Sequence, residues 1–230
     1  MTVLQRADAL AYGVADRTNY ESLAPESGAI SPAKRLLDVV GAVLAMTVFL
    51  PALIAIYLAL LLSGVEPVFA QWRVCQDGRL FRCFKFRSMV RNADQVLADF
   101  LDANPAAKDE WRRSFKLSED PRVTGFGAFL RRTSLDELPQ LFNVLRGEMS
   151  LVGPRPIVPE EIERYGDKIH DYYRCRPGLT GLWQVSGRNL VSYPERVRLD
   201  AFYAGKQSLW LDIAILFRTV GVVLSGRGAC

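Results

Sequence analysis

The sequence predicts a mostly helical α+β protein that associates with a membrane, and three observations carry that prediction. No charged residue occurs from Val39 to Leu62. Asp77-Gly78 stands between alternating apolar and basic residues, the pattern of a small β-hairpin. Further on, apolar residues recur at helical spacing, as at Ala93, Val96, Leu97, Phe100 and Leu101. Half of the 230 residues are hydrophobic. The mean hydropathy of +0.07 suits one membrane segment attached to a cytoplasm-facing domain better than a polytopic chain.

Residues 1–30 mix Asp, Arg, Glu, Ser and Gly without an apolar stretch, which predicts a flexible tail rather than a signal peptide. Residues 31–64 form the membrane unit. Lys34 and Arg35 precede an apolar run from Leu36 to Leu62 that only Asp38 interrupts. At about 1.5 Å per residue, the charge-free part can cross a hydrocarbon core of roughly 30 Å. Pro51 falls near its middle, removes a backbone donor and crowds the preceding turn. Two forms stay open: a kinked helix that spans, and a re-entrant helix whose two ends emerge on one face. Basic residues flank both ends, with Arg73, Arg79, Arg82, Lys85 and Arg87 after the run, so the positive-inside rule places both flanks in the cytoplasm.

Residues 65–230 form the cytoplasmic domain. The hairpin comes first, then a helix over 91–115. Asp120-Pro121-Arg122-Val123-Thr124 reads as a loop, and Phe126 to Arg132 as a short basic-apolar segment. A helix then begins near Ser134. Ser134 and Glu137 fit a capping box, whereas Pro139 favours a register with Asp136 as N-cap. Gly178 and Gly181 predict a turn, and 192–205 a helix. Ser208 to Leu224 is apolar apart from Asp212 and Arg218, and suits either the membrane interface or the core.

The charge balance is mildly basic, 29 Lys and Arg against 25 Asp and Glu. Anionic lipid headgroups or nucleotide phosphates suit such a chain. Nucleic acid does not, because the arginines are dispersed among apolar residues. The four cysteines, Cys75, Cys83, Cys175 and Cys230, form no C-x-x-C pair, and His170 is the single histidine. A Cys/His zinc site and a disulfide framework are both disfavoured.

Asp136-Glu137 is the most informative pair. Acidic residues are common in first helical turns because they complement the dipole, so the pair alone is weak evidence. Arg131 and Arg132 precede it, and Arg155 follows in a Gly-Pro-Arg-Pro loop. A carboxylate can attack phosphorus to give an acyl-phosphate, splitting one hard transfer into two. A second carboxylate can help hold a divalent metal. Arg131, Arg155, Arg176 and Arg188 are phosphate-clamp candidates, since guanidinium grips phosphate oxygens in bidentate fashion. Trp72, Trp111, Trp183 and Trp210 read as core or interfacial anchors.

Six ordered motifs now carry a resemblance. They are Lys34-Arg35-x-x-Asp38, Lys85-Phe86-Arg87-Ser88-Met89, Asp120 to Thr124, Leu135-Asp136-Glu137-Leu138-Pro139-Gln140, Ser150 to Pro156, and Arg176-Pro177-Gly178-Leu179-Thr180-Gly181. Over 31–226 the chain resembles the bacterial sugar transferases. These are monotopic phosphoglycosyl transferases that start exopolysaccharide, O-antigen and glycoprotein glycan assembly, and the length is similar to the short exopolysaccharide-initiating type. The resemblance implies transfer of a sugar-1-phosphate from a UDP-sugar, galactose or glucose by preference, to undecaprenyl phosphate, with release of UMP. It implies Asp136 as nucleophile, Glu137 as its partner, and magnesium held by Asp136 with Glu137 as a second ligand. Lys85 and Arg87 join the arginines as phosphate contacts. Lys34, Arg35 and Pro51 are assigned to the lipid phosphate and the membrane. It also implies the re-entrant form of the helix and a site on the cytoplasmic face of the bacterial inner membrane. A homodimer and downstream glycosyltransferases are the protein partners to look for. Cys75, Ser88 and Trp72 depart from the family's usual residues without touching the dyad. The competing readings are a non-catalytic membrane scaffold for a polysaccharide assembly complex and a lipid phosphatase.

Overall fold

The computed structural model describes residues 31–114 and 117–225, so the expected tail over 1–30 lies outside the described residues. Helix α1, Pro32–Leu62, starts at Ser31 with proline at its first position, where the missing N–H costs nothing. The helix continues through Pro51, against the expected break. One proline deletes one donor, and a long apolar helix can absorb that loss without ending.

Only Lys34, Asp38, Ala42, Ile56 and Leu60 are buried in α1. The first two bond to the segment around Ser150–Val152, and the last two pack with Phe86 and Leu130. Both ends of the helix therefore rest on the same body. Between them Val43, Leu44, Val48, Phe49, Leu50 and Ile54 are exposed, Val48 by 70 %. Bare apolar surface of this extent is unfavourable in water. Among the described residues α1 is the one helix long and apolar enough to cross a membrane.

Strands β1 (Val68–Val74) and β2 (Leu80–Phe86) form the expected antiparallel hairpin, with Val74 opposite Leu80. Gly78 supplies the positive φ, and Asp77 Oδ1 accepts the N–H of Arg79. Strand alternation sets Phe81, Cys83 and Lys85 on one face.

The expected helix over 91–115 is two helices, α2 (Ala93–Ala103) and α3 (Pro105–Ser114). The proline ring disfavours helical backbone one residue earlier, and Asn104 is extended (φ −130°, ψ 93°). The segment closes at its base, where Val90 N–H donates to Arg122 O and Thr124 N–H to Ser88 O.

Helix α4, Gly125–Thr133, is capped by Thr124, whose Oγ1 accepts from Gly127 N–H at 2.9 Å. A Cβ at Gly127 would fall 1.9 Å from Ser88 O, so the helix packs there only through glycine. Ser134 then adopts the left-handed conformation (φ 58°), a short 3-10 turn spans Leu135–Glu137, and α5 runs from Gln140 to Arg146. Neither capping arrangement forms: no side chain caps the turn or α5. Ser134 is spent ending α4, and Pro139 has no N–H to give.

Strand β3 (Ser150–Val152) pairs in parallel with β4 (Gly178–Thr180), so Gly178 sits in a strand and not in the expected turn. The two backbones approach closely, and a Cβ at Gly178 would fall 2.1 Å from Gly153 N. Short helices α6 (Ile162–Tyr165) and α7 (Ile169–Tyr173) build a tyrosine-rich core, and α8 (Leu182–Val185) packs into the core formed with α5, β3 and α10. Helix α9, Tyr193–Lys206, is capped by Ser192, and α10 covers Leu209–Ser225. The buried Asp212 of α10 meets Lys34, while Trp210, Phe217 and Leu224 are exposed.

Candidate active site

Asp136 and Glu137 occupy the 3-10 turn between α4 and α5. Two anchors fix that turn. Gly127 seats α4 on Ser88, as above. The fully buried Asn143 of α5 docks on β2, accepting from Phe84 N–H at 3.1 Å and donating to Arg82 O at 2.7 Å. This side chain substitutes for a strand neighbour and brings the alternate residue Lys85 to the turn. Lys85 Nζ lies 2.7 Å from Glu137 Oε1.

The two carboxylates differ in character. Burial pushes the Asp136 carboxyl up to about 6; Glu137 raises it further, while Lys85 and Arg131 pull it down. Burial also pushes Glu137 up, but Lys85, Arg155 and Arg73 outweigh it and hold this carboxyl below its usual range. Separated values of this kind give adjacent acids different tasks. Near neutral pH both are ionised. Asp136, 7 % exposed, is the poorly solvated one and so the stronger nucleophile.

Cations surround the pair. Arg131 donates from Nε to Ser88 Oγ at 2.9 Å. Arg155 lies with its guanidinium 5.7 Å from the Trp183 ring. Arg188 reaches the turn through Ser134 Oγ at 3.4 Å, from a left-handed backbone (φ 50°). Beside Glu137 opens a pocket that Arg73, Lys85, Gln140, Arg155 and Gln184 help to line.

Five other predicted site residues stand elsewhere. Lys34 is 5 % exposed and pairs with Asp38 and Asp212, so it is an internal anchor and not a surface cation for lipid phosphate. Arg35 donates to Val144 O and Leu145 O, binding the last turn of α5. Arg176 lies against Gly147, with Arg35, Cys75 and Asp38 as its charged or titratable neighbours. Arg87 turns to Glu66 and to the Phe69 ring. Pro51 sits in the exposed apolar length of α1.

Arg73, Ser88, Gln140 and Gln184 were not among the sequence candidates. The hairpin register contains the signal for one of them. Arg73 pairs with Phe81, and so shares the face of Cys83 and Lys85. Gln140 and Gln184 arrive from α5 and α8, which only the tertiary fold brings to one pocket.

A divalent cation can be matched against the residues present. The described residues hold no group of three or more His, Cys, Asp or Glu. That speaks against an all-protein cage. Magnesium commonly takes one or two carboxylates and completes its octahedron with substrate phosphate oxygens and water. Asp136 and Glu137 fit that requirement.

Comparison with known proteins identifies the family. The family model described as bacterial sugar transferase matches residues 29–226. The UDP-galactose-lipid carrier transferase of Erwinia amylovora is 54 % identical over 196 residues, 85 % of this chain and 41 % of that protein. The undecaprenyl-phosphate galactose phosphotransferase of Salmonella typhimurium is 50 % identical, with the same shares. This chain thus spans about two-fifths of their length. The exopolysaccharide production protein ExoY of Sinorhizobium fredii is 48 % identical over 89 % of this chain and 92 % of its own. With Asp136-Glu137, the arginines around them and the apolar helix all inside the matched span, the chain belongs to the bacterial sugar transferase family.

Proposed function

We propose that this protein transfers a sugar-1-phosphate from a UDP-sugar to undecaprenyl phosphate and releases UMP, as a membrane step of exopolysaccharide synthesis. The observation that carries the reading is the buried carboxylate of Asp136, with Lys85 and Arg131 beside it and Arg155 beside Glu137, on a body that also bears an exposed apolar helix. A soluble anionic donor and a lipid phosphate can meet only where these two features coincide. The names of the relatives support a galactose donor first, with glucose as the alternative.

The chemistry divides in two. An Asp136 carboxylate oxygen attacks the sugar-bearing phosphorus of the donor. The bond from that phosphorus to the bridging oxygen breaks, and UMP leaves with the electron pair. An oxygen of undecaprenyl phosphate then attacks the same phosphorus, the acyl-phosphate bond breaks, and the carboxylate is restored. Arg131 and Arg155 hold phosphate oxygens through both steps. Lys85 keeps Glu137 ionised beside them. Magnesium, held by Asp136 and Glu137, would neutralise diphosphate charge when bound.

We read α1 as re-entrant, because its ends at Lys34 and Leu60 pack on one body and the length between them is bare. The basic residues on both flanks of α1 support a catalytic domain on the cytoplasmic face of the inner membrane, where UDP-sugars are made.

The test is intact-mass analysis after incubation with UDP-galactose or UDP-glucose and no lipid. The wild type should gain a hexose phosphate and release one UMP, and undecaprenyl phosphate should then discharge it. Undiminished lipid-dependent UMP release by Asp136→Asn would overturn the covalent route. Absence of UMP with every UDP-sugar would leave the scaffold reading in its place.

A further inference from the structure

We propose that Gln184 determines sugar specificity by accepting a hydrogen bond from a hydroxyl of the donor's sugar. This rests on the UDP-sugar reading above and goes beyond it by assigning the subsite.

The amide of Gln184 is oriented by the fold. Its Nε2 donates to Leu179 O at 3.1 Å, which commits the nitrogen and fixes which end faces the other way. The opposite atom, Oε1, is buried and has no hydrogen-bond partner. A buried acceptor left unpaired costs roughly 1–3 kcal/mol, so such an atom usually serves a ligand. Gln184 lines the same pocket as Glu137, Lys85 and Arg155.

The chemistry of the pocket selects the sugar rather than the uracil. A nucleobase can be held by stacking on an aromatic face, and no aromatic residue lines this pocket. The neighbouring Trp183 is 5 % exposed, and the guanidiniums of Arg155 and Arg196 lie 5.7 and 5.3 Å from its ring. It is closed to a stacking base. What remains is a small recess beside Glu137, lined also by Arg73, Lys85, Arg155 and Gln140. For a donor whose phosphorus sits at Asp136, we place one sugar hydroxyl in that recess. The unpartnered amide oxygen there accepts from O–H, and a site built to bond a hydroxyl discriminates against the analogue that lacks it.

The experiment compares wild type with Gln184→Met, which keeps the length and apolar stem but has no strong acceptor. Each is assayed for UMP release with UDP-galactose and with its singly deoxygenated analogues. In the wild type one deoxy donor should lose roughly tenfold in kcat/KM, the scale of one buried hydrogen bond. In Gln184→Met the parent should fall by a similar factor, and the two donors should become equivalent. The KM for undecaprenyl phosphate and inhibition by UMP should not move. Equal losses on every donor with a lowered melting temperature would reveal a purely structural side chain and overturn the proposal. Weakened UMP inhibition would place Gln184 at the nucleotide and overturn it too. No UMP from the wild type with any UDP-sugar would overturn the underlying reading instead, and this inference with it. Should Gln184→Met fail to fold, Gln184→Leu removes the same acceptor at similar volume and must give the same donor pattern.

Discussion

Two lysines in this molecule each stand beside a pair of carboxylates, and they serve opposite ends. Lys34 lies 2.8 Å from Asp212 and 3.3 Å from Asp38, with the lysine side chain 7 % exposed and both acids fully covered. Neighbours fill the remaining valences. Ser150 Oγ and Leu151 N–H reach Asp38, Tyr203 O–H reaches Asp212, and Val152 O accepts from the lysine itself. One oxygen, Asp38 Oδ2, is left over. Lys85 lies 2.7 Å from Glu137 with Asp136 alongside, and here lysine and glutamate are each 24 % exposed. Arginines surround this second group in place of neutral donors. Residue types are nearly the same in both. Closure and near-complete pairing make the first a fastener between α1, β3 and α10, and the openness of the second is what the proposed function uses for phosphate.

The contrast is sharpened most by removing one acid from the open group. Asp136→Asn should cut UMP release on the order of a thousandfold or more, because the amide cannot attack phosphorus. It should also raise the melting temperature at neutral pH. The folded-state value of Asp136, about 6, lies above that of a free aspartate. Ionising it in the folded protein therefore costs stability, a cost that grows from near pH 4 and is complete above about pH 6. Thermal unfolding of both proteins at pH 7.5 and pH 4 checks the sign: the gap should be present at the first and shrink at the second.

The closed group should answer in stability alone. Lys34→Met leaves Asp38 and Asp212 buried without their cation, at a cost of about 3–5 kcal/mol. Turnover per folded molecule should stay close to wild type. A folded Lys34→Met protein without activity would return Lys34 to the lipid phosphate, where sequence reasoning put it.

That reasoning erred at Lys34 for a physical reason. A lysine ahead of an apolar run reads as a flanking cation, and only α10 supplies the Asp212, 178 residues later, that buries it. Local features fared better. Asp77-Gly78 announced the hairpin, and the helix expected over 192–205 forms as Tyr193–Lys206. The helix over 91–115 should have been divided, since Asn104-Pro105 is a boundary signal within the sequence itself. The dyad was legible through its neighbours, but its backbone was not. A left-handed Ser134 is a choice that packing of α4 on Ser88 forces and no propensity reports. Gln184 was invisible for a similar reason, because its worth lies in an unpaired atom.

The pH profile tests the open group next. UMP release should fall through an acid limb near pH 6 as Asp136 takes up a proton. Lys85 pulls that value down, so whatever rate survives in Lys85→Met should fall off at higher pH than in the wild type. An unmoved limb would mean that a different group limits the reaction at low pH.

The smallest test uses one serine from each group. Ser88 Oγ accepts from Arg131 Nε at 2.9 Å, and Ser150 Oγ lies 2.9 Å from Asp38 Oδ1. Both hydroxyls are buried, and both bond to a charged partner. Each should be worth about 1 kcal/mol or somewhat more, roughly a fivefold effect. The effects should nonetheless appear in different measurements. Ser88→Ala frees Arg131 from its register and should lower kcat/KM for the donor with little change in melting temperature. Ser88→Thr keeps the hydroxyl and should restore the rate. Ser150→Ala strips a donor from a carboxylate that has no water to replace it, and should lower the melting temperature while the donor kinetics hold. If the two serines exchanged these outcomes, the distinction between a saturated ion cluster and an open one would fail, and the arginine at α4 would have to be counted with the scaffold.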